Sequence, residues 1–163
     1  MSRLDQFITR LTAQRAVLGF AAETLAKTEG PVIELGLGNG RTFDHMREIL
    51  PGRRIIAFDR ALAAHGTCEP DPADLVLGEI ETTARAFAGI GAALVHADIG
   101  TGYSRKDAEI AGWLGGVVAS LLRPGGLAAT GLPLADARLV PLPLPPAAPQ
   151  DAYFLYGCVA DGG

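Results

Sequence analysis

A glycine-rich segment carries the strongest chemical signal in the sequence, and it reads Glu34-Leu-Gly36-Leu-Gly38-Asn-Gly40-Arg-Thr42. It follows a short β-rich run at residues 32–35, and helical spacing begins at Thr42. Glycines let a backbone turn sharply and approach a ligand, and the first N–H groups of a helix can bind a carboxylate or a phosphate. The segment therefore predicts a strand–loop–helix site for a ligand with a negative group.

A second chemical feature is Asp59, which ends the next predicted strand and lies 19 positions after Gly40. A carboxylate at that place can accept hydrogen bonds from two ribose hydroxyls. The dinucleotide pattern G-x-G-x-x-G would need glycine where Arg41 stands, and no G-K-[ST] follows for a phosphate-binding P-loop. Both nucleotide patterns are therefore disfavoured, while the loop and the acid together point to a ligand that contains a ribose.

The elements that must position these residues alternate between strands and helices. We expect strands near residues 32–35, 54–58, 75–77, 93–97, 127–130, 137–144 and 152–159, and helices near 2–27, 42–50, 81–87 and 106–122. The first helix could divide at Gly19, and prolines between the last two strands indicate an antiparallel hairpin. Near-continuous apolar strands favour an α/β fold with a mostly parallel sheet covered on both faces, with ligands beyond the strands' carboxyl ends.

Length and composition limit the function classes. With 163 residues, 48% of them hydrophobic and 20% charged, we expect one domain, residues 1–163, in which residues 1–28 form a helical cap. A net charge of −4 without a basic run disfavours nucleic acid as a partner. The isolated Cys68 and Cys158 and the spacing of the histidines predict neither a disulfide nor a metal site. No apolar run approaches about 18 residues, so we expect a cytoplasmic protein without membrane contact.

In its motifs the chain resembles the class I S-adenosylmethionine-dependent methyltransferases, and more narrowly a small bacterial group of stand-alone, single-domain members. The matching motifs are the acidic-x-G-x-G-x-G run at 34–40, the strand-end acid Asp59, Gly78-Glu79-Ile80 after the third strand, Asp98 after the fourth strand, and Leu122-Arg-Pro124-Gly125-Gly126 before the fifth. The resemblance implies a Rossmann-like, doubly wound, seven-stranded sheet in the order 3-2-1-4-5-7-6 with a carboxy-terminal antiparallel hairpin. Residues 132–137 are too few for the helix that the family usually has there.

The resemblance also implies S-adenosyl-L-methionine as cofactor and assigns residues to it. Gly36, Leu37 and Gly38, between Glu34 and Gly40 of the same loop, would lie under the methionine part, with Thr42 near its carboxylate. Asp59 would bind the ribose and Arg60 would pack beside the adenine. The remaining cofactor residues are Gly78, Glu79 and Ile80 in the adenine pocket and Asp98 near the sulfonium.

Methyl transfer is an in-line displacement, so the enzyme mainly positions the nucleophile and excludes water, and a general base is needed only for a protonated acceptor. Asp98 and Tyr103 are the candidate catalytic residues, whereas His96, inside a strand, is expected to be a buried structural histidine. Arg10, Gln14 and Arg15 on the first helix are candidate substrate-binding residues for an anionic acceptor, although a solvated helix face is the favoured interpretation because arginines are common there.

The function we expect is methyl transfer to a small molecule, since Asp98-Ile-Gly-Thr101 differs from the N-P-P-Y type of amino-group methylation and the sequence pI is near 5.3. Exposed apolar residues on the long helices allow a homodimer. Two alternatives stay open at this point. One is a non-catalytic module that binds S-adenosylmethionine or S-adenosylhomocysteine; the other is a nicotinamide-dependent reductase, against which Arg41 and the absence of a Tyr-x-x-x-Lys pair argue.

Overall fold

The computed structural model describes residues 1–160, so the last three residues of the predicted domain 1–163 lie outside the described residues. Within residues 1–160 the strands form one seven-stranded sheet in the order β3-β2-β1-β4-β5-β7-β6. The strands are β1 Val32–Leu35, β2 Ile55–Asp59, β3 Leu75–Leu77, β4 Ala92–Ala97, β5 Leu122–Thr130, β6 Leu139–Leu142 and β7 Phe154–Cys158. The neighbours from β3 to β5 pair in parallel, and β7 pairs antiparallel with both β5 and β6. The predicted fold class and strand order are confirmed.

The helices cover both faces of this sheet. They are α1 Arg3–Thr24, α2 Arg41–Ile49, α3 Ile80–Arg85 and α4 Ser104–Leu121. The core residues of α1 and α2 pack on one face, and those of α3 and α4 pack on the other. Residues 131–138 contain no helix, in agreement with the short segment seen in the sequence. No helix of the described chain has the length and apolar character needed to cross a membrane.

The first helix is continuous, so the suggested break at Gly19 is wrong. Ser2 caps this helix by accepting from the Asp5 N–H, while the Asp5 carboxylate accepts from the Ser2 N–H in return. Glycine in a helix costs about 1 kcal/mol relative to alanine. Here the fully buried Val17 and Ala21 on either side of Gly19 outweigh that cost and hold the helix against the sheet.

Candidate active site

Four predicted site residues end or directly follow parallel strands and therefore meet at one edge of the sheet. The register pairs Leu35 with both Phe58 and Ala97, and Asp59 with Leu77. The residues placed along this edge are Gly36, Asp59, Gly78 and Asp98. At this carboxyl edge of the sheet, two of the four positions are glycines and the other two carry carboxylates.

The glycine loop adopts a backbone that side chains would obstruct. Gly36, Gly38 and Gly40 have φ values of +89°, +53° and +83°. A Cβ at Gly36 would overlap the Ile99 side chain, and one at Gly40 would lie 2.6 Å from the Cβ of Cys68. At Gly38, in contrast, a Cβ would meet no atom within 4 Å. Two of the glycines therefore allow close packing, and Gly38 leaves open space where a ligand can approach the backbone.

Asp59 is oriented by backbone groups beside this loop. Its carboxylate accepts from the Gly38 N–H at 2.8 Å and from the Arg60 N–H at 2.6 Å. The next residue, Arg60, forms an exposed ion pair with Glu79 at 3.1 Å, a contact that adds little stability in water. The fixed carboxylate of Asp59 therefore faces the loop at a place where further hydrogen-bond donors can reach it.

A cavity of about 300 Å³, which we call the strand-side cavity, lies beyond these strand ends. Its lining includes Gly36, Gly38, Asp59, Arg60, Glu79, Ile80, Asp98 and Trp113. Sequence reasoning missed Trp113, since its spacing on α4 is that of a core residue; the only hint was that it is the single tryptophan of the chain. The half-buried indole and the Ile80 side chain give the cavity apolar walls next to its acidic ones.

A second cavity, of about 270 Å³, lies between α1 and the glycine loop, and we call it the helix-side cavity. Its lining includes Phe7, Arg10, Leu11, Gln14, Leu37, Asn39, Arg41 and Thr42. It shares Gly36, Gly38 and Asp98 with the strand-side cavity. Asp98 therefore lies at the border of the two cavities.

A larger cavity, of about 630 Å³, lies elsewhere, at the opposite edge of the sheet. It is lined by residues 26–31 and 51–54 together with Ile90, and it contains none of the predicted site residues. Arg53 occupies its wall and donates to the backbone carbonyls of Thr28 and Gly30. These bonds tie two turns together, which is a structural task, so the chemistry is better assigned to the other edge.

Two of the three candidate substrate-binding residues reach Asp98. Arg10 Nη1 lies 2.5 Å from Asp98 Oδ2, and Gln14 Nε2 donates to the same oxygen at 3.0 Å. Arg15 is exposed and lines neither cavity. The candidate catalytic Tyr103 is 69% exposed, lines neither cavity, and has Lys106 Nζ 5.6 Å from its ring centroid. The structure thus brings Arg10 and Gln14 to Asp98, but neither Arg15 nor Tyr103.

A chain of buried polar groups runs from Asp98 into the sheet. Gln14 Nε2 donates to the Tyr153 hydroxyl at 3.3 Å, and this hydroxyl lies 2.5 Å from His96 Nε2. His96 Nδ1 is 2.8 Å from Glu34 Oε2, and the other oxygen of Glu34 accepts from Thr42 at 2.5 Å. His96 is fully buried, as predicted. Tyr153 was missed, because it is remote in sequence from all its partners and belongs to no motif.

The electrostatics of this chain follow from burial and from its charges. Burial alone would lower the pKa of His96, but the charge and hydrogen bond of the Glu34 carboxylate, together with the charge of Asp98, outweigh burial and raise this pKa. Burial, together with the charge of Asp98, raises the pKa of Tyr153 well above its ordinary value. The Tyr153 hydroxyl therefore keeps its proton at neutral pH and can act as a hydrogen-bond donor.

The two cavities fit the cofactor that the sequence motifs imply. Asp59 presents a carboxylate suited to a ribose, and the open side of Gly38 admits a ligand against the backbone. The cap residue Gly40 offers no side-chain acceptor to the first turn of α2, and Arg41 and Thr42 of this turn line the helix-side cavity. Such a helix start suits a carboxylate. These groups therefore suit a nucleoside that carries an amino-acid group, such as S-adenosyl-L-methionine.

Comparison with known proteins points to the same cofactor. The family described as S-adenosyl-L-methionine methyltransferase matches residues 1–158. A solved S-adenosyl-L-methionine methyl transferase from Silicibacter pomeroyi DSS-3 is 41% identical, with a TM-score of 0.92, over 97% of this chain and 99% of that chain. A search of curated proteins found no match.

Two more distant structures are similar in fold. A variant of the 16S rRNA (adenine(1408)-N(1))-methyltransferase from Catenulisporales acidiphilia, solved with its cosubstrate, is 14% identical, with a TM-score of 0.56, over 88% of this chain and 92% of that chain. The antibiotic-resistance methyltransferase Kmr is 18% identical, with a TM-score of 0.51, over 90% of this chain and 93% of that chain. With the family matched over nearly the whole chain, the protein belongs to the S-adenosyl-L-methionine methyltransferases and uses S-adenosyl-L-methionine as its cofactor.

Proposed function

We propose that the protein transfers the methyl group of S-adenosyl-L-methionine to a small molecule that enters the helix-side cavity. The observation that carries this proposal is the position of Asp98, which borders both cavities and is held there by Arg10 and Gln14. A reaction between two ligands needs such a border, because the reacting atoms must meet at one point.

The strand-side cavity is the proposed site of the adenosine. Asp59 accepts hydrogen bonds from the ribose, while Ile80, with Gly78 and Glu79 before it, borders the base and Arg60 lies beside it. The loop residues Gly36, Leu37, Gly38 and Gly40 form the turn under the methionine part, and the first turn of α2 around Thr42 receives its carboxylate. Glu34, buried in β1, acts on this site only through its hydrogen bond from Thr42. Support comes from the cavity lining, the open side of Gly38 and the fixed carboxylate of Asp59.

When bound, the cofactor supplies a methyl group on a positively charged sulfur, ready for displacement. The protein's own part is to orient and to exclude water. We propose that α1, which makes up most of residues 1–28, acts as the cap: its Phe7 and Leu11 side chains wall the helix-side cavity above the glycine loop. Asp98 accepts a hydrogen bond from the acceptor and takes its proton only where the attacking atom carries one.

A small acceptor suits the helix-side cavity better than a nucleic acid does. The cavity holds about 270 Å³, and its charged lining mixes Arg10 and Arg41 with Asp98 rather than presenting a basic track. The chain carries a net charge of −4, which opposes phosphate-backbone binding. The two arginines favour an acceptor with an anionic group. Arg15 and Tyr103 stay predictions for this step, and both would need to move to reach the cavity.

The test has two stages. Isothermal titration with S-adenosyl-L-methionine, S-adenosylhomocysteine and NADH should give saturable binding of the two adenosyl ligands alone; binding of NADH alone would replace this proposal with a reductase. Cofactor labelled in its methyl group is then incubated with small carboxylate and phosphate acceptors, and separately with ribosomal RNA. Label in the small-molecule fraction is expected. Label in RNA would overturn the acceptor class, and binding without transfer to any acceptor would favour a non-catalytic module.

A further inference from the structure

The polar chain that runs inward from Asp98 is a costly feature for a small core. Gln14, Glu34 and His96 are three of the four buried polar or charged residues among residues 1–160, and none of them is more than 4% exposed. Burying ionisable groups costs free energy unless every member is partnered. Within the described residues every buried side-chain polar atom has a hydrogen-bond partner. Every member of this buried polar chain therefore has a hydrogen-bond partner.

This chain joins parts of the molecule that are far apart in sequence. Gln14 comes from α1, Glu34 from β1, His96 from β4, and Tyr153 from the residue before β7. Its two ends are functional positions: Thr42 lies in the first turn of α2, and Asp98 lies at the border of the two cavities. The positions of these two ends are therefore fixed relative to each other through side chains as well as through the sheet.

When His96 is neutral, the hydrogen bonds give one consistent placement of protons. The two hydrogens of Gln14 Nε2 serve Asp98 Oδ2 at 3.0 Å and the Tyr153 oxygen at 3.3 Å, while His96 Nε2 is more distant at 3.4 Å. Since the Tyr153 oxygen accepts from Gln14, its own hydrogen points to His96 Nε2. His96 then carries its proton on Nδ1 and donates it to Glu34. Tyr153 thus fixes the amide of Gln14 in the orientation that faces Asp98.

Asp98 itself is held from two sides. Gln14 and Arg10 bind its Oδ2, and Oδ1 lies against Gly131, where a Cβ would come within 2.6 Å of that oxygen. The absence of a side chain at Gly131 leaves room for this rotamer. The carboxylate is 21% exposed, so water screens its charge only in part. The carboxylate is thereby fixed at the place where the two cavities meet, and the Arg10 guanidinium on Oδ2 offsets part of its negative charge.

We propose that Asp98 distinguishes the charged sulfonium of the methyl donor from the neutral thioether of the product, and that Gln14 and Tyr153 are positioning residues for this carboxylate. The inference rests on the proposed function, which places the sulfonium at the border of the two cavities. A carboxylate there attracts a cation and gains nothing from a neutral sulfur. After methyl transfer the ligand would lose its attraction to Asp98, so the product would bind more weakly than the donor and leave more readily.

The test compares affinities for S-adenosyl-L-methionine and S-adenosylhomocysteine, measured by isothermal titration on the full chain. The quantity of interest is the ratio of the two dissociation constants, product over donor. Asp98→Asn keeps the shape and removes the charge, and the ratio should fall roughly tenfold for an ion–ion contact near a protein surface. Tyr153→Phe and Gln14→Met leave the charge but release the carboxylate, and each should lower the ratio by a smaller factor, about threefold.

The matched control is Tyr156→Phe, the same chemical change at a buried tyrosine of β7. The hydroxyl of Tyr156 accepts from the Leu134 N–H at 2.9 Å, and its side chain packs with the α3 and α4 face of the sheet, away from the polar chain. This variant should keep the wild-type ratio. A purely structural role for Tyr153 would weaken binding of both ligands by the same factor and leave the ratio unchanged.

Each result has a separate meaning. An unchanged ratio in Asp98→Asn would overturn the discrimination, and unchanged ratios in both Tyr153→Phe and Gln14→Met would overturn the positioning. If Tyr153→Phe does not fold, as judged by its thermal transition, Gln14→Met decides the second point. Failure of the wild-type protein to bind either adenosyl ligand would instead overturn the proposed function itself.

Discussion

The two cavities share Gly36, Gly38 and Asp98 and yet are constructed differently. The strand-side cavity is built from residues next to strand ends, and its contacts are backbone donors and the exposed ion pair of Arg60 with Glu79. The helix-side cavity depends on side chains that are 57 to 139 residues apart and mostly buried. Changes on the strand side should therefore affect binding with little loss of stability, and changes in the buried chain should affect both.

The largest effect is expected for Glu34→Ala. Removing this fully buried carboxylate leaves His96 and Thr42 without their partner, and breaking a buried pair in this way costs about 3–5 kcal/mol. Urea unfolding followed by circular dichroism measures the loss. In the control, Glu79→Ala, an exposed ion pair is lost, and the free energy of unfolding should fall by less than about 1 kcal/mol. If the two variants lost the same free energy of unfolding, changes in the buried polar chain would cost no more stability than changes on the strand side, and the comparison would fail.

The next effect is on the strand side, for Asp59→Ala. The affinity for S-adenosyl-L-methionine should fall by about 1–3 kcal/mol, because charge-assisted hydrogen bonds to the ribose are lost. The free energy of unfolding should change little, since the two N–H groups that Asp59 accepts from are at the surface and can bind water. Asp74→Ala breaks an ion pair with Arg54 outside both cavities and serves as the control. Wild-type affinity in Asp59→Ala would refute the ribose assignment.

A smaller effect is expected for alanine at Gly38, where glycine both adopts a positive φ and leaves room for the ligand. Gly38 and Gly52 both have positive φ, +53° and +76°, and a Cβ at either would meet no atom within 4 Å. Alanine at each should cost about 1–2 kcal/mol of stability from the left-handed backbone. Only Gly38→Ala should also weaken cofactor binding, by about tenfold, since its methyl group enters the cavity. If titration shows the same affinity for both variants, the loop does not approach the ligand.

The smallest expected effect is a pH dependence from His96. Its pKa in the folded protein is raised above the ordinary 6.5 by Glu34, with a smaller contribution from Asp98, against the effects of burial and of Arg10. The stabilisation is therefore complete below the unfolded-state pKa and is lost as pH rises through the folded-state pKa. The unfolding free energy of wild type, measured from about pH 6 to about pH 9, should fall relative to that of His96→Gln.

His45→Gln on α2 is the control for this titration, because His45 lies outside the buried chain. A His96→Gln curve parallel to that of the wild type would show that the Glu34–His96 pair does not titrate in this range.

The sequence alone predicts the strand-side cavity better than the helix-side cavity. Asp59 and Gly38 were found because a strand end and a glycine loop are local patterns whose geometry is fixed by a few neighbouring residues. Tyr153 and Trp113 were not found, since what makes them relevant is packing between elements far apart in the chain. Gln14 and Arg15 are adjacent in sequence, but helical periodicity turns the first toward Asp98 and leaves the second exposed. Only the docked position of α1 separates them.

The place of β7 in the sheet also determines when the molecule can be completed during synthesis. β7 lies between β5 and β6 although it follows both in the chain, and within residues 1–160 β6 pairs only with β7. Since synthesis runs from the amino terminus at about 5–20 residues per second, the glycine loop, Asp59 and Asp98 leave the ribosome before Tyr153 exists.

During that interval the open edge of β5 can pair wrongly with another chain, and Gln14 has no hydroxyl to orient it. Emergence of β7, with Tyr153 directly before it, ends both conditions at once. A nascent chain can therefore assemble its strand-side cavity early, and the arrival of β7 covers the edge of β5 and completes the buried polar chain in the same later step.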